Sequence, residues 1–155
     1  MATTYQLLDK AERLELLAAL LYRALAGRHT GEARALFERL SEEEEQHGAR
    51  VRLLKARSIQ DSKMIGASAA GAALFDRLIE EAEAAVRAVE AGQWDGEPRA
   101  AYIRAAELEE RFAVAHAQAL SKDALPGLRE FFEQLAAQDR GHRELLGAGP
   151  ASRLG

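Results

Sequence analysis

Two segments of this chain, 95 residues apart, are versions of each other, and both carry helical spacing. Leu36-Phe37-Glu38-Arg39-Leu40-Ser41-Glu42-Glu43-Glu44-Glu45-Gln46-His47 returns as Phe131-Phe132-Glu133-Gln134-Leu135-Ala136-Ala137-Gln138-Asp139-Arg140-Gly141-His142. Each copy ends in an acid, two intervening residues and a histidine, and Asp139 follows Glu44 by the same 95 residues as His142 follows His47. At i, i+3 on a helix, an acid and an imidazole share one face and can grip one metal ion. A chain with this repeat is constrained toward two like helices facing each other, each partnered by a helix that supplies a further carboxylate.

The composition agrees with helices throughout. Ala, Leu, Glu and Arg dominate and only three prolines occur, a mixture that favours helix over extended strand. At 155 residues the chain holds one domain with a real core, expected over residues 1–147, with 148–155 as a flexible tail. The expected class is all-α. Net charge is −4 with the basic residues scattered among acids, so neither nucleic acid nor an anionic membrane is an expected partner. There are no cysteines, which excludes disulfides, a thiol nucleophile and any thiolate-held iron or zinc centre within the chain. A metal here is held by carboxylate and imidazole alone. Neither a signal pattern nor an apolar run of the roughly 20 residues that span a bilayer is present, and a soluble cytoplasmic protein is the expectation.

Apolar residues recur at the helical period through Leu7, Leu8, Ala11, Leu14, Ala18, Leu21, Tyr22 and Leu25, ending at Gly27. Thr30 is a candidate N-cap for a second helix whose inward stripe is Ala33, Leu36, Phe37, Leu40, Glu44, His47, Val51 and Leu54. From Ser58 to Gly71 the pattern weakens, around Met64 and Ile65, as a crossover would. An additional helix follows through Leu74, Phe75, Leu78, Ile79, Ala82, Val86 and Val89, broken at Gly92 to Gly96, where Trp94 is expected to plug the bundle end. Pro98 opens the next helix, through Ile103, Ala105, Leu108, Phe112, His116 and Leu120, and Asp123 and Pro126 open the last. Short links within each pair and a long one between them predict an antiparallel four-helix bundle: two helical hairpins, a long crossover and an additional crossover helix.

Glu15 and Glu109 are the candidate carboxylates of the partner helices. Glu15 interrupts the stripe of Ala11, Ala18, Tyr22 and Leu25, and an acid in an apolar stripe needs a partner. Glu109 lies in the corresponding stripe of Ala105, Phe112, His116 and Ala119, which sets His116 where Tyr22 stands. Glu110 competes, because it alone keeps the 95-residue shift from Glu15, and Glu107 is a further option. The metal set is then Glu15, Glu44, His47, Glu109, Asp139 and His142. Four carboxylates balance two divalent cations in a low-dielectric bundle, and this mixture of donors suits iron, manganese or zinc. Tyr22 reads either as a hydroxyl that hydrogen-bonds a ligand or donates an electron, or as a packed core tyrosine. His116 reads as a ligand, a hydrogen-bonding neighbour or a packed imidazole.

A run such as Glu42 to Glu45 is ordinarily a solvated helix face, and a lone core histidine is ordinarily a packing residue. With 25 acids in 155 residues, a histidine has about a one-in-six chance of an acid three places earlier; two such events in matching helices come to a few per cent. The repeat is what lifts the metal reading above the bland one.

These marks resemble the rubrerythrin-like branch of the ferritin-like di-iron carboxylate superfamily: Glu15 with Tyr22 seven residues on, Leu36-Phe37-Glu38 leading to Glu44 and His47, and the Glu107, Glu109 and Glu110 cluster leading to Phe131-Phe132-Glu133, Asp139 and His142. The resemblance spans residues 7–54 and 102–146. It implies a ferritin-like bundle, often a homodimer, with two iron ions, that reduces hydrogen peroxide or dioxygen or oxidises ferrous iron. Asp139 departs from the family's glutamate, His116 from its tyrosine, and a chain without cysteine lacks a rubredoxin-type centre, so electrons come from a separate donor or from substrate iron. A peroxide- or dioxygen-reducing oxidoreductase is expected, with bridging from Glu44 and Asp139. The alternatives are a ferroxidase or iron-handling protein and a helical interaction module with a decayed metal site. Phe75 and Ile79 serve a dimer as easily as a core.

Overall fold

Thr3 starts the first helix by accepting a hydrogen bond from the Gln6 amide while the Gln6 side chain returns one to the Thr3 amide, a reciprocal capping box. In the computed structural model, which describes residues 3–60, 68–121, 124 and 126–147, this helix α1 runs Thr4–Arg28, followed by α2 (Gly31–Gln60), α3 (Ala69–Glu90), α4 (Pro98–Ala117) and α5 (Pro126–Gly147). Among the described residues no strand occurs, and no helix is long and apolar enough to cross a membrane. The middle of the expected crossover, with Met64 and Ile65, lies outside the described residues, as do Asp123 and the tail 148–155.

Only His29 and Thr30 separate α1 from α2, and Gly31 makes this reversal with φ 61°, a left-handed value that a side chain would resist. The ion pairs give the helix directions. Glu12 with Arg52, Asp9 with Lys55 and Arg23 with Glu45 make α1 and α2 antiparallel, and Glu110 with Arg143 and His116 with Asp139 do the same for α4 and α5. The helix α3 runs parallel to α1, held by Lys10 with Asp76 and Arg13 with Glu83, and antiparallel to α4, held by Arg111 with Glu81. It thereby carries the chain back along the bundle, so that α2 and α4 point the same way. The two hairpins and the additional crossover helix are thus present.

The start of α3 docks against the end of α4. Ser68 caps α3 through the Gly71 amide, and its own amide donates to the Ala119 carbonyl at 3.1 Å. A Cβ on Gly71 would come within 2.8 Å of the Ala119 backbone, so only glycine permits this approach. The same contact uses the chain beyond Ala117 as an acceptor, and α4 ends there rather than continuing to Leu120. Phe75 is fully buried against the His116 ring, which removes it from the positions open to a dimer; Ile79 packs partly buried against the core. Trp94 is partly buried at the end of α3 with the Arg104 guanidinium over its ring.

Leu, Ala, Phe and Val side chains fill the bundle at both ends. Between those apolar layers lies a polar one.

Candidate metal centre

Each of the four bundle helices contributes two residues to that polar layer. Helix α1 brings Glu15 and Tyr22, α2 brings Glu44 and His47, α4 brings Glu109 and His116, and α5 brings Asp139 and His142; all eight are between 0 and 5 % exposed. Their inward direction follows from the helical period. On α2, for example, Phe37, Leu40, Glu44, His47 and Val51 are all buried while Glu42, Glu45 and Gln46 face solvent. On α4 the same phase selects Glu109, which is fully buried; Glu107 is exposed, and Glu110 is partly exposed and pairs with Arg143.

The donor atoms fall into three overlapping groups: Glu15, Glu44 and His47; Glu44, Glu109 and His142; and Glu15, His116 and Asp139. His47 Nδ1 lies 3.6 Å from Glu44 Oε2 and 3.8 Å from Glu15 Oε2, and His142 Nδ1 lies 2.8 Å from Glu44 Oε1 and 3.4 Å from Glu109 Oε1. The two rings stack with centroids 5.6 Å apart. Glu44 thus stands between the two histidines, in contact with both. The sequence pair Asp139 and His142 divides: His142 joins Glu44 and Glu109, whereas Asp139 joins Glu15 and His116.

A pseudo-twofold relation links the hairpins. The Tyr22 hydroxyl donates to Glu109 Oε1 at 2.5 Å, and in the reciprocal position His116 Nε2 lies 3.1 Å from Glu15 Oε1. Phe37 packs on Tyr22 with centroids 6.2 Å apart, and its repeat partner Phe132 packs on His116 at 6.1 Å. His116 additionally holds Asp139 Oδ2 at 2.5 Å through Nδ1.

Among the described residues, no Lys or Arg forms an ion pair with Glu15, Glu44, Glu109 or Asp139. Seven polar atoms of the layer have no hydrogen bond of fixed direction: Glu15 Oε1, both Glu44 oxygens, Glu109 Oε2, and one ring nitrogen each of His47, His116 and His142. Buried acids this close repel each other unless cations lie among them. Without them, protons take that place. Burial and the repulsion of Glu15 and Glu109 raise Glu44 well above the carboxylate range. Burial also lifts Asp139 up to about 8, against the pull of His116. Burial works against a charged His116, but Asp139 overcomes it and brings the imidazole up to about 10. Glu15 goes the other way: burial is outweighed by hydrogen bonding to Glu44, His116 and His47, and its carboxylate is held ionised. Tyr22 is raised by burial and by Glu109 and Glu44, so it remains a phenol that can donate.

One neighbour hidden inside an acidic run is Glu43. Its Oε2 lies 3.5 Å from His142 Nε2 at the rim of the layer, although the run Glu42 to Glu45 reads from sequence as solvated face. His29, assigned no role from its loop position, is buried against Phe37. The open groove of about 840 Å³ between α3 and α4, floored by Ala85 and Ala88, contains none of the eight residues. Comparisons of the chain with protein-family profiles, with curated proteins and with solved structures give no match.

Proposed function

We propose that this chain is a dinuclear-metal oxidoreductase, rubrerythrin-like and ferritin-like in its bundle, that reduces hydrogen peroxide or dioxygen with two iron ions. The observation that carries the reading is the convergence of four carboxylates and three imidazoles from four helices, with no Lys or Arg pairing with those carboxylates among the described residues. Four carboxylates carry −4, which two divalent cations neutralise, and carboxylate with imidazole suits iron, manganese or zinc. Glu15, Glu44, His47, Glu109 and His142 would hold the ions, with Asp139 and His116 closing the ring. Bound there, the metals would supply two electrons and Lewis acidity toward the O–O bond.

The chain's own residues set the rest. The layer is at most 5 % exposed and most open at His47 and His142, which supports a small oxidant such as peroxide or dioxygen. Reduction of one peroxide to two waters consumes two electrons and two protons. Glu109 Oε1, with Tyr22 donating to it, is positioned to receive and return a proton. The electrons come from a separate donor, because the chain has no thiolate-held centre. The Glu43 carboxylate at the His142 rim favours a second reading, in which ferrous iron is the substrate and passes this acid on its way in.

The test is metal content per chain and the near-ultraviolet spectrum after anaerobic loading with Fe²⁺, followed by one equivalent of peroxide. Two irons per chain that oxidise, and then turn over with added reductant, support the oxidoreductase. Continued oxidation of excess Fe²⁺ without reductant supports the ferroxidase. A chain that takes up no iron, and melts at the same temperature with and without it, removes both and favours the interaction module.

A further inference from the structure

We infer that His116 is a metal-ligating nitrogen of this centre and that Asp139 is a positioning residue that acts through it. The inference rests on the dinuclear-metal reading above and assigns two of its residues. It begins with the tautomer. Asp139 Oδ2 lies 2.5 Å from His116 Nδ1, so an imidazole that binds a cation keeps its ring proton on Nδ1, toward Asp139, and has Nε2 as its ligating nitrogen. Nε2 stands 3.1 Å from Glu15 Oε1, and Glu15, His116 and Asp139 form one of the three donor groups close enough to share an ion. In the metal-free chain a proton joins Nε2 to Glu15, and a divalent cation that replaces this proton would take both atoms as ligands. Tyr22, the counterpart of His116, resolves the same position by donating its hydroxyl proton to Glu109. His116 turns Nδ1 to Asp139 and Nε2 to Glu15.

Reach separates the two acids of the repeat. The Glu44 arm extends to both His47 and His142, whereas Asp139, one methylene shorter, meets only His116 among the ring nitrogens. The imidazole is fixed in this direction by Phe75, edge-on at 5.6 Å, and by Phe132 at 6.1 Å, on opposite neighbouring helices. A carboxylate that orients a ligating histidine through its far nitrogen is the usual outer support of a metal site. Glu43 stands farther from His142, whose Nδ1 faces Glu44 and Glu109 while Nε2 lies 3.5 Å from Glu43 Oε2. The ligand set then has three imidazoles and three carboxylates, a balance that moves preference from manganese toward iron or zinc.

The test loads the full-length chain with Co²⁺ and counts solvent-exchangeable, hyperfine-shifted imidazole N–H resonances by proton NMR, alongside Co²⁺ stoichiometry. Three resonances are expected in the native chain, with one missing in His116→Gln. Asp139→Asn keeps an acceptor for Nδ1; it retains three resonances and both ions, displaces one resonance, and weakens Co²⁺ binding by about 10- to 100-fold. If His116→Gln does not fold, the native count and Asp139→Asn decide. Two resonances in the native chain, or loss of an ion in Asp139→Asn with the resonance count unchanged in His116→Gln, would overturn the assignment while leaving the metal centre standing. A native chain that binds no Co²⁺ removes the metal reading itself, and the assignment with it.

Discussion

The α1–α2 hairpin and the α4–α5 hairpin use one plan and differ at its centre. In the first, a long acid, Glu44, crosses the layer to both histidines, and the partner helix offers a tyrosine that donates outward to Glu109. In the second, a short acid stops at His116, and the partner helix offers an imidazole turned toward Glu15. One methylene and one ring replacement thus convert an acid that reaches the middle into one that supports a neighbour. The first hairpin also has a clamp that the second lacks: buried Glu12 takes Arg52 and Lys55, each at 2.6 Å, three residues from Glu15 on the same helix. Two buried acids one turn apart therefore have opposite meanings. Glu12 is closed by Arg52 and Lys55, whereas Glu15, among the described residues, pairs with no Lys or Arg but only with His47 and His116.

The largest effect expected is at Glu44, which belongs to two of the three donor groups. Glu44→Met should lower metal affinity by more than about 100-fold, since loss of an outer partner alone costs 10- to 100-fold. The metal-free chain should become more stable by about 1–4 kcal/mol, because a buried acid crowded by Glu15 and Glu109 is gone. Elemental analysis and thermal melts read both; unchanged metal content would show that Glu44 is not shared between two ions. Next comes the symmetrised chain, His116→Tyr with Asp139→Glu. It should keep two ions and show two imidazoles, at a cost of about 1–3 kcal/mol for fitting the larger ring between Phe75 and Phe132.

The pH dependence of the metal-free chain follows in size. Asp139 is raised from 3.8 to about 8 and His116 from 6.5 to about 10, so the folded state holds protons that the unfolded state releases. The stability from both is complete below their ordinary values and is lost as pH rises through the folded ones. The melting temperature of the metal-free chain should fall from pH 6 to pH 10, whereas metal binding should strengthen over the same range because the donors bind deprotonated. A metal-free melt that is flat over this window would contradict the His116–Asp139 pairing. Smallest is Glu12→Gln, about 1–2 kcal/mol, between an exposed and a buried ion pair, since the Arg52 side chain is 63 % exposed. Its metal content should be unchanged, which separates the clamp from the centre.

Much of this was legible from local periodicity. Pro98 at the start of α4 and the apolar stripes are properties of neighbouring residues, and they place the five helices without reference to the rest of the molecule. Acids and histidines that interrupt those stripes point inward for the same reason. Phase was less certain on α4, where Glu107, Glu109 and Glu110 lie within one turn; the sequence repeat favoured Glu110 and the apolar face favoured Glu109, and the fold buries Glu109. Glu43 and Glu12 were hidden because a partly covered carboxylate in a charged helix looks the same as a solvated one until the opposite helix is known.

By itself, the amino-acid order determined the helices, the two-hairpin plan and the set of polar side chains that must share a core, since those follow from spacing along one chain. Only the tertiary structure decided which of them meet: Tyr22 with Glu109, His116 with Glu15 and Asp139, and His142 with Glu44 rather than with its own sequence partner. The physical reason is that such contacts depend on side-chain reach across an interhelical gap, where a single methylene changes the partner, and no pattern within one helix records the width of that gap.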